Sequence, residues 1–309
     1  MNPRVQGAQG SPAVWLRYFS GDALSTVAWR LATVPWAPDE RIERLKDAAG
    51  VGAGQLAGQL GSNDPGVFLR PHGSPFYATK IIDLHNLRYS RYIDATATHR
   101  LRGPEDVARY AALITGSDPM EFGPHRILSD TQRPLRFRYA DEVLYAIGTY
   151  LMSLEPPRNP AVAARDLLDR GEQIFQREGC AGCHTPPSYT TGKLTLADGW
   201  QLPANHPNAE DVMPRSVGTD PGLALKTRKG TGFYKIPSLR GVWYRPRLLH
   251  DGSLTSLEEM FDPARVDAAY TPKAWNPPGV TTRPVPGHTF GLALPLEDKR
   301  ALLAFLRSL

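Results

Sequence analysis

The residues most able to do chemistry are Cys180, Cys183 and His184, which stand within one pentapeptide and include the only two cysteines of the 309 residues. Thiols three residues apart lie on one side of a helical turn, so each can add to a vinyl group of the same haem as a thioether. The adjacent imidazole can then ligate the iron. The spacing is the attachment signature of a c-type haem, and it predicts one covalently bound haem.

The same two cysteines have three other interpretations: a redox-active dithiol, half of a zinc site and a small structural disulfide. A tetrahedral zinc site needs two more ligands, and the nearest later histidine is His206, without a second pair of cysteines. A thioredoxin-like dithiol follows a buried strand, whereas the residues before Cys180 have helical periodicity. The haem interpretation is therefore favoured, and the other three stay open.

The ligand on the second face of the iron decides what such a site does. Two protein ligands give low-spin iron suited to electron transfer, whereas an open face can bind peroxide or dioxygen. The candidates downstream of the motif are His288, Met260, His250 and Met213. Three of them have an ordinary alternative: His288 as a loop or capping residue, Met260 as core and Met213 as a filler of a gap.

Helices must position these residues, and the apolar periodicity predicts several of them. They span about Pro104 to Thr115, Arg138 to Leu154, Ala161 to Glu178 and Pro295 to the end, with a short stretch at Asp39 to Ala49. The third leads directly into the cysteine motif. No strand is predicted, so the expected fold class is all-α. The layout of a helix leading into the motif, a long loop region and a packed C-terminal helix resembles the cytochrome c fold, which implies a cytochrome c-type haem domain preceded by an irregular, mainly helical region.

Two of these helices carry specific packing predictions. In the second, Val143, Ile147, Tyr150, Leu151 and Leu154 recur at helical spacing and predict a core face. In the third, Gly171 is expected to permit close approach of another helix or of the haem. The proline-rich run from residue 155 to 160 ends the second helix, and it predicts a division into residues 1–155 and 156–309.

Composition excludes some functions. No run of eighteen apolar residues exists, so no membrane span is predicted. The formal charge of +5 is counted without the two haem propionates, which would bring the haem-bound protein nearer neutrality. It therefore indicates no nucleic-acid role. Basic clusters at residues 226–229 and at Arg240, Arg245 and Arg247 predict either a solvated surface or pairing with propionates or an acidic redox partner.

Three motifs around the haem signature resemble the C-terminal haem domain of the bacterial di-haem cytochrome c peroxidase and MauG superfamily. They are GEQIF at residues 171–175, IPSLRGV at 236–242 and LHDGSLTSLEE at 249–259. GHTFG at 287–291 and YIDATATHR at 92–100 are most similar to the rubber-oxygenase-like branch. The resemblance implies that His288 is the distal ligand, with Met260 as the alternative that the peroxidase branch uses. It also implies that His250 hydrogen-bonds near the haem, and Tyr92 and Trp243 are candidates to relay electrons between haems.

The departure from the family is that members carry two such signatures and this chain has one. We expect this sequence to be either the later part of a di-haem protein, with the other haem upstream of Met1, or a descendant that lost its first haem. The expected partner is a redox partner protein or a second haem domain. Thioether attachment in bacteria belongs to the oxidising side of the membrane, so the expected location is the periplasm although residues 1–4 lack a signal peptide's apolar region. The predicted function is electron transfer. The alternative is a haem oxidoreductase acting on peroxide or an organic substrate, so enzyme status is left open.

Overall fold

The computed structural model describes residues 67–68, 79–114, 121–122, 125–126, 141–161, 163–226, 230–276 and 280–309. Its helices are α1 Pro104–Ile114, α2 Asp141–Ser153, α3 Arg165–Arg177, α4 Gly222–Lys226, α5 Leu257–Met260 and α6 Leu296–Ser308. Its strands are β1 Val67–Phe68, β2 Thr79–Lys80, β3 Glu121–Phe122, β4 His125–Arg126, β5 Leu194–Leu196, β6 Val212–Ser216 and β7 Phe233–Lys235. Short 3-10 turns lie at Leu84–Tyr89, Cys180–Gly182, Ala209–Asp211, Val242–Tyr244 and Pro263–Val266.

The core forms where α3 packs against α6, the helix that ends the chain. Gly171 allows this contact, because a Cβ atom there would stand 2.2 Å from the carbonyl oxygen of Ala301. Asp298 of α6 accepts hydrogen bonds from two arginines of α3, Arg170 at 2.6 Å and Arg177 at 2.7 Å. The helix–helix role predicted for Gly171 is confirmed, as are the predicted positions of α1, α2, α3 and α6 to within a few residues.

Helix α2 buries only part of the predicted face. Val143, Ile147 and Tyr150 are 52%, 43% and 63% exposed, so the predicted core role is wrong for these three residues. Leu151 does pack against a buried cluster that includes Val107, and Leu154 is half-buried. Leu144 and Gly148 are buried instead, and a Cβ atom on Gly148 would stand 2.4 Å from the carbonyl oxygen of residue 104. Helix α2 is apolar on more than one face, and close approach to α1 selects the face with the smallest side chain.

A three-stranded mixed sheet departs from the all-α expectation. Its order is β6-β5-β7, with β5 parallel to β6 and antiparallel to β7. Leu194 and Phe233 bury their side chains in a cluster with Tyr92. The strands are three to five residues long, too short for an alternating pattern to stand out among the surrounding prolines and glycines.

Residues 79–101 pack along the second half of the chain. Asp83 pairs with Arg245 at 2.9 Å, and Asp211 accepts hydrogen bonds from Arg91 at 2.5 Å and Arg100 at 2.6 Å. The division at residue 155 stays a prediction, and the helix predicted at residues 39–49 lies outside the described residues. Among the helices that the structure describes, none has the length and apolarity needed to cross a membrane.

Candidate functional site

The cysteine motif begins where α3 stops. Gly179 takes a left-handed conformation with φ +76°, which ends the helix and starts the turn Cys180–Gly182. The amide of His184 donates to the carbonyl oxygen of Cys180 at 2.9 Å, so both thiols and the imidazole share one compact turn. Both cysteines are unpaired.

The thiols are not activated as nucleophiles. Burial raises the pKa of Cys180 to about 11, with a further contribution from the carboxylate of Glu178, and burial also raises the pKa of Cys183. Redox-active cysteines have the opposite shift, produced by nearby cations or a helix N-terminus. Here the motif follows a helix C-terminus, so the local structure does not favour a redox dithiol.

A cavity of about 250 Å³ opens beside this turn. Both cysteines and His184 line it, and His288, Met260 and His250 line it as well. Its apolar wall comes from α3, α5, α6 and the segment 236–249, through Phe175, Ile236, Val242, Leu248, Leu249, Leu257, Phe261, Leu302 and Leu306. The motif and three of the four predicted ligand candidates thus share one apolar cavity.

His184 and His288 form an imidazole pair within this cavity. Their ring centroids are 6.3 Å apart and the ring planes are inclined by 54°. Imidazole nitrogens bind transition metals at about 2 Å, so two rings on opposite sides of one ion have centroids about 6 Å apart. The Nδ1 atom of His184 lies 3.1 Å from the carbonyl oxygen of Tyr189, which leaves Nε2 for a ligand. The spacing suits one metal ion held between the two rings.

Both imidazoles are neutral at neutral pH, the form in which histidine ligates a metal. Burial lowers the pKa of His184 to about 4. Burial, followed by the proximity of His184, lowers the pKa of His288 to about 4. The Nδ1 atom of His288 is buried and has no hydrogen-bond partner among the described residues.

A fully buried arginine holds the loop that carries His288. Arg265 is 0% exposed, and its Nη2 atom donates to the carbonyl oxygens of Gly287 and His288, each at 2.8 Å. Its Nη1 atom donates to the carbonyl oxygen of Val285 at 2.6 Å, and its Nε atom to that of Met260 at 2.9 Å. Sequence reasoning missed Arg265, because no local pattern distinguishes it from a surface arginine.

The backbone of the loop is constrained as well. Gly287 has φ +82°, and a Cβ atom there would stand 2.3 Å from the backbone nitrogen of Thr219. His288 itself has φ +50°, and its amide donates to the carbonyl oxygen of Val217 at 2.6 Å. A left-handed conformation at a non-glycine residue needs support from its surroundings, which Arg265 and Val217 provide.

The other candidates occupy distinct positions. Met260 is 8% exposed and belongs to the main hydrophobic core, so it lines the cavity as a packing residue. The ring of His250 lies 4.7 Å from that of Tyr234, and its Nδ1 atom is buried without a partner among the described residues. Met213 lies outside the cavity lining, with its sulfur 3.8 Å from that of Cys183.

Two aromatic residues proposed as electron relays also lie outside the cavity lining. The hydroxyl of Tyr92 donates to Asp211 at 2.9 Å, and burial together with this carboxylate raises the pKa of Tyr92 to about 12. The indole of Trp243 donates to the carbonyl oxygen of Pro157 at 3.1 Å. These contacts are those of packing residues.

Comparison with known proteins gives limited guidance. No family model matches the chain, and no curated protein matches it. Similar solved structures include a MauG-like protein associated with microbial copper homeostasis, with TM-score 0.45, 15% identity and 74% of this chain against 72% of that chain. A second is a hydrazine synthase of Kuenenia stuttgartiensis, with TM-score 0.41, 14% identity and coverage of 76% of this chain and 73% of that chain. A third is the di-haem peroxidase BthA of Burkholderia thailandensis, with TM-score 0.39, 16% identity and coverage of 79% of this chain and 73% of that chain. At such TM-scores a shared fold does not follow.

Proposed function

We propose that residues 156–309 form a c-type cytochrome domain with one haem attached through Cys180 and Cys183 and iron held between His184 and His288. The observation that carries this proposal is the 6.3 Å separation of the two imidazole rings in a cavity lined by both thiols. The apolar wall suits a large planar ligand, and the raised pKa values of the thiols do not favour disulfide exchange.

The proposed activity is electron transfer. A haem iron with two protein ligands cycles between its ferric and ferrous states without binding a substrate. The residues of this chain serve that activity by holding the two imidazoles in place and by excluding water from them. His184 is fixed through Tyr189, and the His288 loop is fixed by Arg265.

We further propose that the domain works in the periplasm, with a redox partner protein or a second haem domain. The three motifs at residues 171–175, 236–242 and 249–259 support a peroxidase-like, di-haem setting. A haem oxidoreductase acting on peroxide or an organic substrate is the competing function, and it requires that one face of an iron be open to small ligands.

Spectra of the loaded protein test this proposal. The chain, expressed behind a secretion signal in a host that matures c-type haem, should give one haem per chain by pyridine haemochrome and a low-spin ferric spectrum. That spectrum should not change with carbon monoxide or peroxide. Absence of covalent haem would refute the proposal, and a high-spin, ligand-binding iron would favour the oxidoreductase.

The second ligand is tested by substitution. His288→Ala should convert the ferric spectrum from low-spin to high-spin, because the imidazole that pairs with His184 across the cavity would be lost. Met260→Leu, which preserves the volume of the core, should leave the spectrum low-spin. His206→Ala, outside the cavity lining, is the matched control. A low-spin His288→Ala protein together with a high-spin Met260→Leu protein would assign the ligand to Met260 instead.

A further inference from the structure

Positive charge gathers on one part of the cavity wall. Lys80, Lys235 and Arg245 line the cavity, and Asp83 is the only carboxylate among its described lining residues. Three cations less one carboxylate leave a charge of +2 on the wall. Buried charge without a partner is costly, so this wall favours an anionic group in the cavity.

The carboxylate already present does not neutralise this charge. Asp83 accepts hydrogen bonds from Arg245 at 2.9 Å, from the amide of Asn86 at 2.5 Å and from the hydroxyl of Tyr244 at 3.1 Å. Asp94 lies outside the lining and also attracts Lys235. Counting Asp94 as well, the group keeps an excess positive charge.

The cations also have hydrogen-bond donors available for a further acceptor. The Arg245 side chain is 7% exposed, and its Nε atom is buried without a hydrogen-bond partner among the described residues. Burial lowers the pKa of Lys80 to about 8, and the neighbouring charges of Arg245 and Lys235 lower it further. Lys235 donates to the carbonyl oxygens of Tyr92 at 3.0 Å and Ile93 at 2.7 Å, and an ammonium has three donors.

We propose that Lys80, Lys235 and Arg245 form the binding site for the two propionate carboxylates of the haem. This inference rests on the proposed function. Two propionates carry negative charge, opposite in sign to the excess positive charge of this group, and carboxylates accept hydrogen bonds from such donors. A haem bound here would then be held by two separate sets of residues: Cys180 and Cys183 through the thioethers, and the three cations through the propionates.

Lys80 is the residue to vary, because Arg245 also pairs with Asp83. In holoprotein, Lys80→Met should shift the propionate bending band of the resonance Raman spectrum, which responds to hydrogen bonding of those carboxylates. It should also lower the midpoint reduction potential, because loss of a nearby cation favours the more positive ferric iron. Lys80→Arg, which keeps the charge, should retain a potential close to that of the unmodified protein.

The control is Lys273→Met, because Lys273 is 70% exposed and lies outside the cavity lining. An unchanged band and potential in both Lys80→Met and Lys235→Met would overturn the inference. If Lys80→Met loads no haem while Lys80→Arg loads normally, the requirement for a cation is supported directly. If neither Lys80 variant loads haem, the propionate band and the midpoint reduction potential of Lys235→Met decide instead. A wild-type protein without covalent haem would refute the proposed function, whereas loaded haem with an unresponsive propionate band would refute this inference alone.

Discussion

Replacing Arg265 by methionine tests the support of the His288 loop. The substitution removes four hydrogen bonds to buried or partly buried backbone carbonyls, those of residues 260, 285, 287 and 288. Each stranded carbonyl costs about 1 kcal/mol at the low end of the usual range, so the loss is about 4 kcal/mol. Methionine fills part of the volume and carries no charge to desolvate, which reduces the loss somewhat. We therefore expect a decrease of about 3–4 kcal/mol in the free energy of unfolding, a large value for one substitution.

The assay has two readouts on the same holoprotein. Urea unfolding followed by circular dichroism gives the change in stability, and the ferric absorption spectrum reports whether the iron keeps a second protein ligand. Arg300→Met is the matched control, because the Arg300 side chain is 62% exposed and pairs only with Glu297 among the described residues. We expect that control to change stability by less than about 0.5 kcal/mol. Equal urea midpoints for the two variants would refute the reasoning about Arg265.

Two further predictions concern the scaffold. Gly171→Ala should lower the free energy of unfolding by about 1–3 kcal/mol, because the added methyl would stand 2.2 Å from the carbonyl oxygen of Ala301. Helix propensity alone predicts the opposite, a gain in stability of about 1 kcal/mol. A variant that is more stable in thermal unfolding would therefore contradict the packing argument. Burial opposes ionisation of Asp211, but hydrogen bonds from Arg100, Tyr92 and Arg91 outweigh it and lower its pKa. Its contribution to stability is therefore present above the ordinary value of about 4 and lost as pH falls through the folded pKa. Asp211→Asn should flatten the acid side of the stability profile below about pH 4, and an unchanged profile in urea titrations would contradict this assignment.

What the sequence could predict depends on how far apart the determining residues lie. The cysteine motif and helices α1, α2, α3 and α6 follow from local signals: spacing, periodicity and helix-terminal prolines or glycines. The local pattern did not predict which face of α2 is exposed. Apolar residues occur on more than one side of this helix, and only its contact with α1 determines which side is buried. The sheet β6-β5-β7 was missed because its strands are short and pair across long stretches of chain.

The site shows the same division between local and distant information. His184 is part of the motif, whereas His288 follows 104 residues later and reaches the cavity through a loop whose conformation depends on Arg265. Lys80 was not singled out at all, because nothing in its neighbourhood in the sequence indicates that it meets Lys235 and Arg245. Such residues gain a role only from tertiary packing.

Arg265 also connects the two candidates for the second iron ligand. Its Nε atom donates a hydrogen bond to the carbonyl oxygen of Met260, and its Nη2 atom donates one to the carbonyl oxygen of His288. A change at Arg265 therefore disturbs both candidates together, and a spectral change in that variant cannot assign the ligand to either. Only the comparison of His288→Ala with Met260→Leu separates them, because each removes one ligating group while leaving the backbone carbonyl that Arg265 holds.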